Sequence, residues 1–182
     1  MSLDRQPATP ATPASVPDEA SAPDAKPAAL AELLYARPGF LLRRAHQISV
    51  SIFEEACGEL PMTTGQFAVL AVLQADATLD QSSVARAIGL DKVTVSLLLR
   101  GLEARGLVHR CPDPGNRRRR VLTLTAQGRA LMQRSQAPAE AAYERLMAPF
   151  DAVQRVALLA LLQQLVTTLE PCSRAPLVPL RR

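Results

Sequence analysis

The side chains best placed for chemistry are short hydroxyls and cations. In the stretch LDKVTVSLLLR, residues 90–100, Lys92, Thr94, Ser96 and Arg100 share the polar side of a helical pattern. Short hydroxyls hydrogen-bond to base edges or phosphates, and a threonine methyl can pack on thymine. Lys92 falls in the first helical turn, where a cation opposes the helix dipole, an arrangement that a phosphate partner would relieve. Val93 and Leu97 are apolar on or near the same side, which is unusual for a face meant only for water. They pack on thymine methyls or sugars, or Leu97 completes the core. Downstream, Arg110, Arg117, Arg118, Arg119 and Arg120 gather around one acid, Asp113. Residues 110–120 thus carry a net +4, equal to the formal charge of the whole chain, so the remainder is neutral. Basicity confined in this way is a nucleic-acid footprint. An arginine-bearing hairpin tip suits the minor groove, where narrow A/T-rich steps concentrate negative potential.

Catalysis has little to work with. There are two histidines, His46 and His109, and no GxSxG, HExxH or phosphate-binding loop. Cys57, Cys111 and Cys172 form no CxxC pair, so neither a metal site nor a cofactor is expected. The odd cysteine count fits a reducing compartment better than a disulfide scaffold. No uninterrupted apolar run approaches the length of a bilayer span, and the N-terminus has no secretory apolar core. A cytoplasmic protein is expected.

The elements that must position the polar groups follow from local signals. A first short helix is expected from Ser82 to Ile88, capped by Asp80 or Ser82 and ended by Gly89. Asp91 then caps a second helix from Lys92 to Arg105, with Val95, Leu98, Leu99 and Leu102 inward and Gly106 as its stop. Strands follow at Leu107–Cys111 and Val121–Leu124, joined by the loop PDPGNRRRR, residues 112–120, whose Asp, Pro, Gly and Asn favour turns. A short extended piece at Ala77–Asp80 is placed to pair with this hairpin. Helix, tight turn, helix and basic hairpin make a winged helix-turn-helix over residues 63–125.

The flanks read as support. Residues 1–36 are a Pro/Ala-rich tail expected to lack structure, with at most a helical turn at Ala28–Tyr35. Residues 37–62 hold a long helix, Gly39 to Glu59, with two apolar stripes and hence two surfaces to bury against. Thr63 or Thr64 caps the next helix, to Gln74. Residues 126–170 hold a helix capped by Thr125 and interrupted near Pro138, then a last helix opened by Pro149. That last helix is apolar on most sides, and the chain is too short to cover it, so a homodimer is expected. Residues 171–182 read as a loose tail whose Leu177, Val178 and Leu180 could dock on a partner. The fold class is mainly α with a small β wing.

The run LDKVTVSLLLRGLEARGLVHRCPDPGNRRRRVLTLTAQG resembles the MarR family of bacterial transcription regulators, and the resemblance extends over residues 38–170. It implies a homodimer binding double-stranded DNA at a palindromic operator, usually as a repressor, and release by a small aromatic carboxylate. It implies a short strand between the second helix and the helix pair, and two dimerisation helices after the wing. It carries DNA contacts onto Thr94 and Ser96 of the recognition helix and onto Asp113, Arg117 and Arg118 of the wing, to which Lys92, Arg100 and Arg119 are added by their position. Asn116 stands where the family usually has Asp, removing a carboxylate that would tether an arginine, and Leu97 stands where a basic residue is frequent. An effector pocket between the first two helices and the winged module would fall on Arg43, His46, Ser49, Gln66 and Phe67. There an arginine suits a carboxylate and a histidine suits a ring hydroxyl or ring nitrogen. The opening PGFLLRRAHQISVSIFEEACG is similar to the branch controlling nicotinate breakdown, whose signal is a hydroxylated nicotinate. The alternatives are a redox-responsive regulator using Cys57 or Cys111 and a non-specific architectural DNA-binding protein.

Overall fold

A computed structural model describes residues 27–180. Residues 1–26 of the expected tail lie outside the described residues, as does the side chain of Arg117. In chain order come α1 (Pro27–Tyr35), α2 (Pro38–Cys57), α3 (Thr64–Ala75), α4 (Gln81–Ile88), α5 (Lys92–Ala104), β1 (Val108–Asp113), β2 (Asn116–Leu124), α6 (Ala126–Met147), α7 (Ala152–Leu169) and a 3-10 turn at Glu170–Cys172. The described residues divide into two compact units, which part between Leu41 and Leu42. In the first, the expected turn is a nine-residue helix, α1. The Tyr35 ring packs edge-on against Phe40, with centroids 5.2 Å apart.

The second unit is built on α3, α4 and α5. Each supplies an apolar stripe at helical spacing: Val69, Leu70 and Leu73, then Val84 and Ala85, then Val95, Leu99 and Leu102. Leu107, Val108, Leu122 and Leu124 close this core from the wing, and Leu131 and Met132 close it from α6. A smaller cluster joins the end of α2 to α6: Phe53, Cys57 and Ala142 are buried together, and the Phe53 ring meets Phe67 of α3 edge-on at 5.4 Å. The start of α6 comes very close to the wing. At Gly128 a Cβ would fall 2.1 Å from the carbonyl oxygen of Leu107, so only glycine fits.

Several expectations are corrected. Among the described residues there are two strands, and 77–80 forms none; it contributes one ladder-like bond, from the Leu122 N–H to the Leu79 carbonyl at 2.8 Å. The hairpin is longer than its apolar pattern suggests, because β2 begins at Asn116 and takes in the whole arginine run. The arginines therefore lie on a strand, and the tip is Pro114–Gly115. Helix α6 runs unbroken through Pro138. Proline removes one helical hydrogen bond, but buried Leu131, Met132 and Ser135 before it and Ala142 after it anchor both halves on the body. The last helix starts at Ala152 with Asp151, not Pro149, as its cap, and Asp151 and Gln154 form a reciprocal capping box.

No residue of α7 is buried within the protomer, and Val153, Val156 and Leu161 are 78%, 70% and 65% exposed. Ala152–Cys172 is long and apolar enough to cross a bilayer by length and composition alone, although Gln154, Arg155, Gln163 and Gln164 interrupt it. The segment after α7 is not loose in the described residues. It turns back onto α4: the Val178 N–H donates to the Arg86 carbonyl at 2.8 Å, Leu177 covers Gly89, and Leu180 packs on the main core. The Leu177 N–H also bonds the Glu170 carboxylate at 2.6 Å.

Candidate nucleic-acid interface

The helix pair is fixed by its caps. Asp80 accepts the Ser83 N–H at 2.8 Å and starts α4. Gly89, at φ +64°, ends α4 in the left-handed region that side-chain-bearing residues avoid, which turns the chain toward α5. Asp91 then accepts the N–H groups of Val93 and Thr94 through one oxygen, both at 2.9 Å, and the Thr94 hydroxyl through the other at 2.6 Å. The Thr94 hydroxyl, followed by these backbone donors, holds the Asp91 carboxyl below its ordinary range.

Helix α5 is anchored by buried Val95, Leu99 and Leu102. Its other side presents Lys92, Val93, Leu97 and Arg100 to solvent, with Thr94 and Ser96 half-buried at the margin. The structure thus brings the predicted Lys92, Ser96 and Arg100 onto one accessible face. It settles Leu97, which is 57% exposed and no part of the core. Thr94 belongs to the same turn, but its hydroxyl is committed to Asp91.

The wing stands beside this helix. Asp113 accepts the Gly115 N–H at 2.8 Å, and Asn116 accepts the Arg118 N–H at 3.1 Å, which closes the tip. Regular pairing stops at Pro112, which faces Arg120; the next pair is Asp113 with Asn116, so Arg117, Arg118 and Arg119 have no cross-strand partner. A proline cannot donate to the ladder, and here the register breaks. Among the described side chains, those of Arg118 and Arg120 are exposed, with no recorded ion pair.

Arg119 points the other way. Its Nε meets Asp80 at 3.1 Å, one Nη meets Asp113 at 3.0 Å, and the other donates to the Thr78 carbonyl at 3.0 Å. One guanidinium therefore ties the wing to the N-cap of α4. Partial burial pushes the Asp80 carboxyl up, but hydrogen bonds from Ser83 and Arg119 outweigh it and leave Asp80 below its usual range. Asp113 is also held low, first by the Gly115 N–H and, against a smaller effect of burial, by Arg119. Arg119 itself is raised by its bonds to Asp80 and Asp113. Arg110 forms a second brace, to Glu103 of α5 and Gln81 of α4. Asp113 and Arg119, expected at the DNA surface, are thus engaged in shaping the wing. The tether lost with Asn116 is supplied instead by Asp80 and Asp113.

The expected effector residues are not gathered around one cavity. Arg43 and His46 are exposed on α2, and Ser49 is half-buried. Phe67 packs in the Phe53 cluster, and Gln66 closes the α3 capping box and accepts a bond from Arg105 at 3.2 Å. Two cavities lie elsewhere in this unit. One, of about 420 Å3, is bounded by Glu59, Leu60 and Pro61, by Arg105 and Leu107 after α5, and by Gln127, Ala130, Leu131 and Arg134 of α6. The other, of about 630 Å3, lies between Leu73, Gln74 and Ala77 of the α3 end, His109 and Thr123 of the wing, and Arg129 of α6. Arg105 and Arg134 line the first cavity without any local sequence pattern to mark them, since its walls come from three separate elements. Cys57 is buried, and that burial, with the nearby Glu54 charge second, pushes its thiol up, which disfavours the reactive thiolate.

The sequence profile described as "MarR family" matches residues 60–119. The chain is 34% identical over 128 residues to the HTH-type transcriptional repressor NicR of Pseudomonas putida, covering 70% of this chain and 81% of the relative. A solved structure of BpsR from Bordetella bronchiseptica, whose DNA binding is regulated by 6-hydroxynicotinic acid, superposes with a TM-score of 0.68 at 33% identity, covering 72% of this chain and 94% of that one. The transcriptional repressor CouR, solved on a 23-mer DNA duplex, gives a TM-score of 0.67 at 30% identity, covering 75% and 94%.

Proposed function

Because this chain belongs to the MarR family, we propose that it is a sequence-specific, homodimeric transcriptional repressor released from its operator by a small aromatic carboxylate. The observation that carries this reading is the placement of α5. It is rigidly capped and buried on one side. It presents Lys92, Ser96 and Arg100 on the other, beside a wing whose Arg118 and Arg120 are exposed while Arg119 clasps it to α4. The recognition helix enters a major groove and the wing follows the adjoining backbone or minor groove. A second copy covers the apolar sides of α7 and sets the spacing of the two reading heads on a palindrome. Arg117, on the same strand, adds to the wing's charge.

The cavity between Leu60, Leu107 and Leu131 supports a ligand-responsive reading. Its volume of about 420 Å3 and the apolar part of its wall, Leu60, Pro61, Leu107, Ala130 and Leu131, suit a single aromatic ring. Arg105 and Arg134 are the cations at its edge that would hold a carboxylate. Arg105 directly follows α5, so a ligand that fits only one setting of that helix end shifts the DNA-binding equilibrium. A hydroxylated nicotinate is the acid favoured by the likeness to BpsR, whose DNA binding is regulated by 6-hydroxynicotinic acid. Arg43, His46 and Ser49 on α2 form a second, exposed candidate surface for it. The redox alternative rests on Cys111, since Cys57 is buried. A non-specific architectural role would keep the charge and lose the operator preference.

The test is fluorescence anisotropy on duplexes that the full-length protein selects from a random pool, against scrambled duplexes, with and without hydroxylated nicotinates and other aromatic carboxylates. Preference for the selected duplex that one acid abolishes is the expected result. Preference that no acid changes removes the effector, and equal binding to selected and scrambled duplexes favours the architectural role.

A further inference from the structure

The apolar part of the reading face has no role in phosphate contact. Val93 is 71% exposed and Leu97 57% exposed. Four residues apart, they lie one above the other on the same side of α5, opposite buried Val95, Leu99 and Leu102. Lys92, Ser96 and Arg100 run along one side of the pair, so the pair borders the polar row. The Thr94 hydroxyl donates to Asp91 at 2.6 Å and is occupied in holding the cap. Opposite the buried stripe, this face therefore presents hydrocarbon at Val93 and Leu97. In the major groove one base edge offers a hydrocarbon partner: the C5-methyl of thymine.

We propose that Val93 and Leu97 are specificity-determining residues that read thymine methyl groups in each operator half-site. The proposal rests on the DNA-binding reading above and adds a chemical prediction about the operator. Basic groups beside the pair bring the helix to the phosphates, and the methyl contacts select among registers. Lys92 and Arg100 act on any sequence; Val93 and Leu97 act only where thymine stands.

The experiment replaces thymine by deoxyuridine in a duplex that the full-length protein has selected from a random pool, one strand position at a time. This removes a methyl and leaves base pairing intact. Affinity is expected to fall at one to two positions per half-site, by roughly fourfold for each methyl contacted. Val93→Ala and Leu97→Ala, both at exposed positions, are each expected to bind the thymine duplex more weakly and to lose the penalty at one of those positions. If wild-type protein binds the deoxyuridine and thymine duplexes equally, the proposal fails while the repressor reading stands. If both variants keep the full deoxyuridine penalty, the methyls are read elsewhere and the proposal also fails. If no duplex is preferred over a scrambled one, the DNA-reading function itself fails.

Discussion

Arg119 on the wing and Asp80 at the cap of α4 are 39 residues apart in sequence and 3.1 Å apart in space. The carboxylate that accepts the Ser83 N–H in the first turn of α4 also holds the arginine that holds the wing, since Arg119 reaches Asp113 as well. Exposed ion pairs contribute little to global stability. The value of this one lies in fixing the angle between hairpin and helix pair.

Arg119→Gln is therefore expected to leave the fold intact, loosen the wing and weaken operator binding. Faster amide exchange at Gly115 and Arg118 with unchanged far-ultraviolet circular dichroism would be the signature. Unchanged exchange there would mean that the tip's own hydrogen bonds suffice.

The clasp is acid-sensitive. Asp80 and Asp113 are both held below their ordinary range, so in that interval the folded protein binds fewer protons than the unfolded chain. Their contribution is complete above about pH 4 and is lost as the pH falls through the lowered folded values. Thermal melting in acid should show it, and Arg119→Gln should flatten the slope. Between pH 6 and 8 the clasp should not titrate.

Arg118→Ala and Arg120→Ala should each reduce the slope of log affinity against log salt by about 1 if each neutralises one phosphate. Ser96→Ala should instead narrow the preference for operator over random DNA, by ~1–3 kcal/mol for a good base contact. Equal loss on both duplexes would assign Ser96 to phosphate.

Thr94→Val should lower the melting temperature by opening the bond to Asp91, and Thr94→Ser should retain it. A change in operator preference in Thr94→Ser, which removes the methyl, but not in Thr94→Val, which keeps it, would instead point to contact between the threonine methyl and a base.

Leu161→Asp on α7 should convert the dimer to monomer, read by light scattering, and weaken binding to the two-half-site operator far more than to an isolated half-site. Arg134→Ala should leave binding without acid unchanged and raise the acid concentration needed for release. An unaltered release curve would move the effector to the Arg43 and His46 surface.

The helix pair was legible because its signals are local. Asp80, Asp91, Thr63 and Thr125 act on N–H groups two or three residues ahead, and Gly89 acts on its own backbone. The arginine run was legible as charge but not as geometry. Which arginine faces outward depends on where the ladder breaks, at Pro112, and on a carboxylate 39 residues upstream. The continuity of α6 across Pro138 was hidden because proline's local preference is overridden by burial on both sides. Leu97 was ambiguous in sequence because its apolar side chain suits the core while its spacing from Val95, Leu99 and Leu102 sets it on the opposite side. The docked tail was illegible for the same reason as the clasp: the Val178 N–H finds its acceptor at Arg86, far away in the chain.

That docked tail has a practical consequence. Residues 177–180 lie against the turn of the helix pair, so a protease reaches this segment only when it lifts off or the reading head opens locally. The rate of C-terminal clipping then becomes an internal gauge of that opening. Operator DNA should slow the clipping, and a purification tag fused after Arg182 would report on the same equilibrium it risks disturbing.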